Sequence, residues 1–164
     1  MEKKEISVSE NNVSEIFSIE KECFELLLPT NTFNEAIKNK DYFKCVEIDK
    51  KIVAYLLGTF NDYEGEIIEI AVLPNYRNNG YAKLLINNFV KFLSGKEFLY
   101  LEVRENNIKA IELYKKIGFE QYNIRKHYYR DGVNAILFRK KLISWKMKSL
   151  LELNQVAMKL LVQL

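Results

Sequence analysis

The sequence predicts a mixed α/β (α+β) domain, a sheet with helices on both faces, and three observations carry that reading. Strand-like and helix-like runs alternate along the chain, an order that packs helices against a sheet. The 164 residues suffice for one continuous hydrophobic core. A composition of 48% hydrophobic and 29% charged residues belongs to a globular chain, not a disordered or fibrous one.

The elements follow in order. Ile16, Ile19, Cys23 and Phe24 recur at helical spacing, which predicts an amphipathic helix over Val13 to Phe24. Leu26 to Thr32 reads as a loop around Pro29, and Phe33 to Lys38 suits a second short helix. Phe43 to Ile48 and Ile52 to Phe60 are apolar, β-branched-rich runs about Asp49-Lys50-Lys51, a hairpin signature. Asn61, Asp62 and Gly65 lead into a third strand at Glu66 to Val72. A polar loop after Pro74 gives way to a helix from Gly80 to Leu93, with Leu85, Phe89 and Phe92 along one face and Gly95 beyond its end. Phe98 to Val103 is a further strand. Ile108 to Ile117 is a helix that Asn106 or Asn107 can cap, with Gly118 placed for a left-handed C-terminal cap. Two last strands, Phe119 to Tyr129 and Ala135 to Leu142, join through Asp131-Gly132.

The end of the chain has a different pattern. Leu150, Leu153, Ala157, Leu160, Leu161 and Leu164 form a helical apolar stripe, with Lys148, Glu152, Lys159 and Gln163 off its centre. The expected organisation is a domain over 1–143 followed by a C-terminal amphipathic helix over 144–164. That helix either packs on its own domain or makes a homodimer or partner contact.

Charge and cysteine usage exclude several classes. A net charge of +3, with Lys and Glu interleaved, lacks the basic patch of a nucleic-acid binder. Cys23, Cys45 and the single His127 have no metal-ligand spacing, so no metal centre is expected. The start shows no signal-peptide pattern and no run approaches the roughly 20 apolar residues of a membrane span. A cytoplasmic protein with reduced thiols and no membrane partner is the expectation.

The first chemical signal is Arg77-Asn78-Asn79-Gly80-Tyr81-Ala82-Lys83, between a strand and a helix. A helix N-terminus offers unpaired N–H groups and the positive end of the dipole, which together attract phosphate. Gly80 and Ala82 let the backbone approach a bulky pyrophosphate, and Arg77 and Lys83 add charge at its rim.

In its setting this loop resembles that of the GNAT superfamily of acetyltransferases, Arg/Gln-x-x-Gly-x-Gly/Ala after an apolar-Ala-Val-x-Pro phrase. Here the phrase reads Ile70-Ala71-Val72-Leu73-Pro74, and the loop runs from Arg77 to Ala82. Leu101-Glu102-Val103-Arg104-Glu105-Asn106-Asn107, then Ala110 to Phe119, and Arg125-Lys126-His127-Tyr128-Tyr129 follow in the family's order. The resemblance spans Ile67 to Leu142 and is greatest to the RimI-type ribosomal-protein alanine N-acetyltransferases. It implies a mixed, mostly antiparallel sheet whose splayed parallel strand pair holds acetyl-CoA. Ile70, Ala71 and Val72 would offer backbone groups to the donor, residues 77–83 would hold its pyrophosphate, and Asn107 would contact it.

The same resemblance implies Glu102 as general base and Tyr114 as general acid, with Glu69 the alternative base. Each has an ordinary reading too. Glu102 could be a surface carboxylate paired with a lysine, and Tyr114 shares a helical stripe with Ala110, Ile111 and Ile117 that could simply be core. Tyr128 and Tyr129 could line an acceptor pocket or be cross-strand packing, and His127 a surface residue. Departures fall on the acceptor side: Leu28-Pro29-Thr30-Asn31 replaces a Pro-Trp phrase, and Asn134-Ala135 an Asp-Ala phrase. The expected activity is transfer of acetyl from acetyl-CoA to a peptide or protein N-terminus. The alternatives are a small-molecule amine or lysine acceptor, or a non-catalytic CoA-binding protein.

Overall fold

A computed structural model describes residues 2–142. Strand β1 (Lys3–Ser7) precedes helices α1 (Val13–Cys23) and α2 (Thr32–Asn39). Then follow β2 (Tyr42–Ile48), β3 (Lys51–Phe60), β4 (Glu64–Val72), α3 (Tyr81–Phe92), β5 (Phe98–Arg104), α4 (Ile108–Lys116), β6 (Glu120–Arg125) and β7 (Ala135–Lys141). The expected boundary at 143 and the amphipathic helix over 144–164 lie outside the described residues. Among the described residues no helix is long and apolar enough to cross a membrane.

The seven strands form one sheet in the order β1-β2-β3-β4-β5-β7-β6. Every neighbouring pair is antiparallel except β4 and β5, which run parallel. Helix α3 makes the crossover that parallel strands require. Two cores sandwich the sheet. Leu85, Ile86, Phe89 and Leu93 from the α3 segment, with Ile111 and Tyr114 from α4, pack on one face. Ile16 and Ile19 of α1, with Phe33 and Ala36 of α2, pack on the other, against Phe43, Cys45, Tyr55 and Leu57. That second core takes no residue from β5, β6 or β7. One face of those three strands is therefore open beside α1 and α2.

Local chemistry explains most element ends. Asp49 and Lys50 both hold positive φ, 48° and 68°, the paired left-handed geometry of a tight two-residue hairpin between β2 and β3. Gly118, at φ 88°, follows α4 as expected of a left-handed cap.

Two elements depart from the sequence reading. Strand β1 was not expected, because Lys3-Lys4-Glu5-Ile6-Ser7 has little apolar alternation; as an edge strand it needs only β2 as a partner. The strand predicted over Phe119 to Tyr129 ends at Arg125. His127 takes φ 51°, and the Asn134 side chain accepts its N–H at 2.8 Å, so the backbone leaves the ladder there. Tyr128 and Tyr129 consequently lie in the β6–β7 loop and are not a cross-strand pair.

Gly58 and Gly65 have no left-handed backbone, yet both are small for a steric reason. A Cβ at Gly58 would overlap the Phe89 ring, and one at Gly65 the Leu93 δ-methyl groups, so α3 sits directly on the β3–β4 backbone. Gly65→Ala is expected to lower unfolding free energy by roughly 1–3 kcal/mol, the usual range for overpacking. A urea titration giving a midpoint equal to the wild type's would show that α3 does not seat there.

Candidate active site

The site begins where two strands part. The parallel ladder pairs Glu64 with Phe98 and ends with Ile67 opposite Leu101. Beyond it β4 continues to Val72 and β5 to Arg104 without pairing to each other. Their facing backbone groups are thereby free for a ligand. At the same point the β3–β4 register shifts between Leu57 and Gly58, partners of Glu69 and Ile67, so Ile68 is the inserted residue. The bulge changes the phase of the side chains. Ile67 and Ile70 both face the α3 core, while Glu69 is turned to the α1 side, where it meets Tyr55. A bulge that re-aims a side chain in this way is common beside active sites.

Residues 77–83 lie at the N-terminus of α3. Asn78 and Gly80 have φ of 63° and 78°, and nothing lies within 4 Å of where a Gly80 Cβ would be. The first bond into the helix runs from Leu84 N–H to the Gly80 carbonyl at 2.9 Å. The N–H groups of Tyr81, Ala82 and Lys83 thus have no helical acceptor and stand at the positive end of the dipole. Asn79 donates to the carbonyls of Tyr76 and Arg77, which holds the turn. Arg77 donates through Nε to the Val72 carbonyl at 3.0 Å, tying the turn to the end of β4. This cradle fits a diphosphate. Asn107 caps α4, its side chain accepting Ala110 N–H at 3.3 Å.

On the open face of the sheet a groove of about 480 Å³ is lined by Glu66, Tyr100, Glu102, Tyr122 and Arg125, among others. Glu102 lies on β5, with only 23% of its side chain exposed, and accepts from Arg125 at 2.5 Å. Partial desolvation and the nearby Glu102 carboxylate push the Glu66 carboxyl upward, and Arg125 pulls it back. The Arg125 guanidinium lies over the Tyr128 ring at 5.3 Å, and Arg104 over Tyr129 at 4.3 Å. Arg104 also pairs with Asp131, while Glu105 accepts from Asn134 at 2.9 Å. These contacts hold the β6–β7 loop against the end of β5.

Tyr114 is 6% exposed and packs edge-on against Phe119, with Phe138 at 6.2 Å. Burial, with a further contribution from Tyr129, pushes its phenol up to about 12. Tyr129 in turn is raised by burial and then by Glu102. Glu102, Tyr129 and Tyr114 are therefore electrostatic neighbours, and Tyr114 is at once a core residue and a protonated phenol. Arg125 and Glu66 were not singled out from sequence, for no spacing rule joins β4, β5 and β6.

A second polar cluster lies under the α1–α2 loop. Tyr55 donates to Glu69 at 2.5 Å. Burial pushes the Glu69 carboxyl up to about 7, against the downward pull of that bond, and Glu20 adds to the rise. Glu20 is fully buried, accepts Leu28 N–H at 2.5 Å through Oε1, and among the described residues leaves Oε2 without a partner. Burial raises its carboxyl too. The Cys23 thiol donates to the Val72 carbonyl at 3.5 Å, and burial raises it despite Arg77. Burial pushes Cys45 up to about 12. Neither cysteine is an activated nucleophile.

Comparison with known proteins follows this geometry. The profile of the acetyltransferase (GNAT) family matches residues 11–119. An N-alpha-acetyltransferase of Sulfurisphaera tokodaii is 32% identical over 142 residues, 77% of this chain and 85% of that protein. The [ribosomal protein bS18]-alanine N-acetyltransferase of Haemophilus influenzae is 46% identical over 68 residues, 40% of this chain and 46% of that one. The crystal structure of the ribosomal-protein-S18-alanine N-acetyltransferase from Escherichia coli superposes with a TM-score of 0.80 at 25% identity, covering 86% of this chain and 94% of that one.

The raised carboxyl of Glu69 has a consequence for stability. The folded state holds this proton more tightly than the unfolded chain, so its contribution is fully present below the ordinary value of 4.5. It is lost as pH rises through about 7. Glu69→Gln should flatten the fall in urea midpoint across that window, leaving the slope of the same sign that Glu20 contributes. Parallel curves for variant and wild type would show that Glu69 titrates normally.

Proposed function

The chain belongs to the acetyltransferase (GNAT) family and takes acetyl-CoA as its cosubstrate, and we propose that its acceptor is the α-amine of a protein N-terminus, an alanine on a ribosomal protein first among candidates. One observation carries this reading. Glu102 stands at the end of a groove on the open face of the sheet, just past the last paired residues of β4 and β5, and the diphosphate cradle begins α3, which packs on the opposite face. An acceptor in the groove and a donor on the cradle can meet only through the gap. The open groove along the strands suits the end of an extended chain better than an enclosed small molecule.

Acetyl-CoA supplies an activated acyl group, and the chain's residues position and exchange protons around it. The N–H groups of Tyr81, Ala82 and Lys83 receive the diphosphate, with Lys83 adding charge and Asn78, Asn79 and Gly80 shaping the turn. Ile70, Ala71 and Val72 present backbone groups, and those aimed at the carbonyl oxygen steady charge developing there. Asn107 contacts the donor at the start of α4. The carboxylate of Glu102 takes a proton from the acceptor, directly or through water. An α-ammonium with pKa near 8 needs only modest help at neutral pH. Tyr114, protonated at any physiological pH, hands its phenolic proton to the departing thiolate. The raised thiols of Cys23 and Cys45 favour direct attack by the amine over an acyl-enzyme. Arg125 is a positioning residue that holds the Glu102 carboxylate in the groove.

Incubation with acetyl-CoA and a panel of peptides, lysine-containing blocked peptides and small amines, read by thiol release, tests the acceptor. Turnover with free peptide N-termini alone supports the proposal; turnover confined to lysine or small amines replaces it. Glu102→Gln should lower turnover by roughly 10²-fold at neutral pH, with the deficit shrinking as pH rises past the amine's own pKa. A deficit independent of pH would transfer the base role to Glu69. Tyr114→Phe should slow turnover while leaving acetyl-CoA affinity unchanged; equal turnover removes Tyr114 from the mechanism. Arg125→Ala should lower turnover with peptide, and added guanidinium should restore part of it. Failure of the salt to restore any activity would assign Arg125 a different role.

A further inference from the structure

At the opposite end of the groove from Glu102, where α3 ends over the β3–β4 turn, an aromatic patch lies exposed. Phe92 is 51% exposed, Phe60 40% and Tyr63 73%. Phe60 and Phe92 meet edge to face at 5.0 Å, and Tyr42 lies 4.9 Å from Phe92. A shallow groove of about 240 Å³ runs from Phe92 past Tyr42 toward Ile37 on α2. Contiguous exposed apolar surface of this kind marks a contact site.

The chain's own course says what covers it. Leu142, buried in the α3 core, donates its N–H to the Glu97 carbonyl at 2.8 Å, and Glu97 donates to the Tyr63 carbonyl at 2.7 Å. Next to them Lys96 binds the Asn61 carbonyl and lies over the Phe60 ring at 5.5 Å. Residues 143–164 therefore begin beside Tyr63 and Phe60. They lie outside the described residues, but their sequence carries the apolar stripe from Leu150 to Leu164.

We propose that this C-terminal segment lays its apolar stripe on the Phe60–Phe92 patch of its own domain. Coiled as a helix it would span roughly 33 Å at 1.5 Å per residue, ample for the patch and the groove beyond. A segment tethered this closely competes at millimolar effective concentration, which favours its own domain over a second copy. The patch lies at the Glu64–Phe98 end of the parallel pair, where Phe60 also lines the groove, and away from the parting after Ile67 and Leu101.

Trp145, the single tryptophan, lies three residues past Leu142, within about 11 Å of it, and reports on this contact in the full-length protein. Trp145 emission should be blue-shifted and poorly quenched by acrylamide, in a monomer by light scattering and unchanged on dilution. Phe92→Asp and, separately, Leu153→Asp should each shift emission to the red and raise the quenching constant severalfold. Leu153→Asp alters nothing in the described domain, and far-UV dichroism checks that Phe92→Asp remains folded. Unchanged quenching in either variant overturns the proposal. So does a blue shift lost on dilution as the mass halves, which would assign the patch to a second copy.

Discussion

The parting of β4 from β5 is the constraint on which the rest of this molecule depends. Parallel pairing stops at Ile67 and Leu101 although both strands run on. Unpaired strand backbone is costly when dry, so a gap of this kind is a place built to be filled. The bulge at Ile68 belongs to the same device, since it turns Glu69 to the α1 face while Ile70 stays in the α3 core. Close seating of α3 against Gly58 and Gly65 then fixes the helix whose first turn leaves the N–H groups of Tyr81, Ala82 and Lys83 without helical acceptors. Backbone, bulge and helix start are therefore one arrangement.

Carboxylates are distributed around that gap in two environments. Glu66 and Glu102 share an open groove with Arg125, where the guanidinium bonded to Glu102 offsets part of the repulsion Glu102 exerts on Glu66. Glu69 and Glu20 lie in a drier pocket under the α1–α2 loop, and burial raises both. Glu20 also ties that loop to α1 through Leu28, so the loop rests on a buried acid. The two arginine–tyrosine stacks hold the β6–β7 loop against β5 and β6.

Much of this was legible in the residues. Helices α1 to α4 declared themselves by apolar spacing, and the β2–β3 hairpin by two apolar runs about Asp49-Lys50. Gly118 marked the end of α4. The cradle at 77–83 was visible because phosphate binding at a helix start uses local chain geometry. Strand β1 was invisible, since a charged edge strand is held by its neighbour and not by its own pattern. The end of β6 was missed for a similar reason: the left-handed His127 and the Asn134 hydrogen bond are set by the loop as a whole.

By itself the sequence determined the mixed α/β class, the order of the elements from α1 onward and the glycine-containing turn that starts α3, all of which are written in residue type and short-range spacing. Tertiary structure alone decided that β4 and β5 separate after Ile67, that Glu69 turns toward Tyr55, and that Arg125 meets Glu102 across two strands. It also decided that Tyr128 and Tyr129 leave the ladder and stack with Arg125 and Arg104. The physical reason is range. Helical periodicity and turn chemistry act within a few residues, whereas ladder termination, burial and ion pairing join positions far apart in the chain and exist only once the sheet has closed.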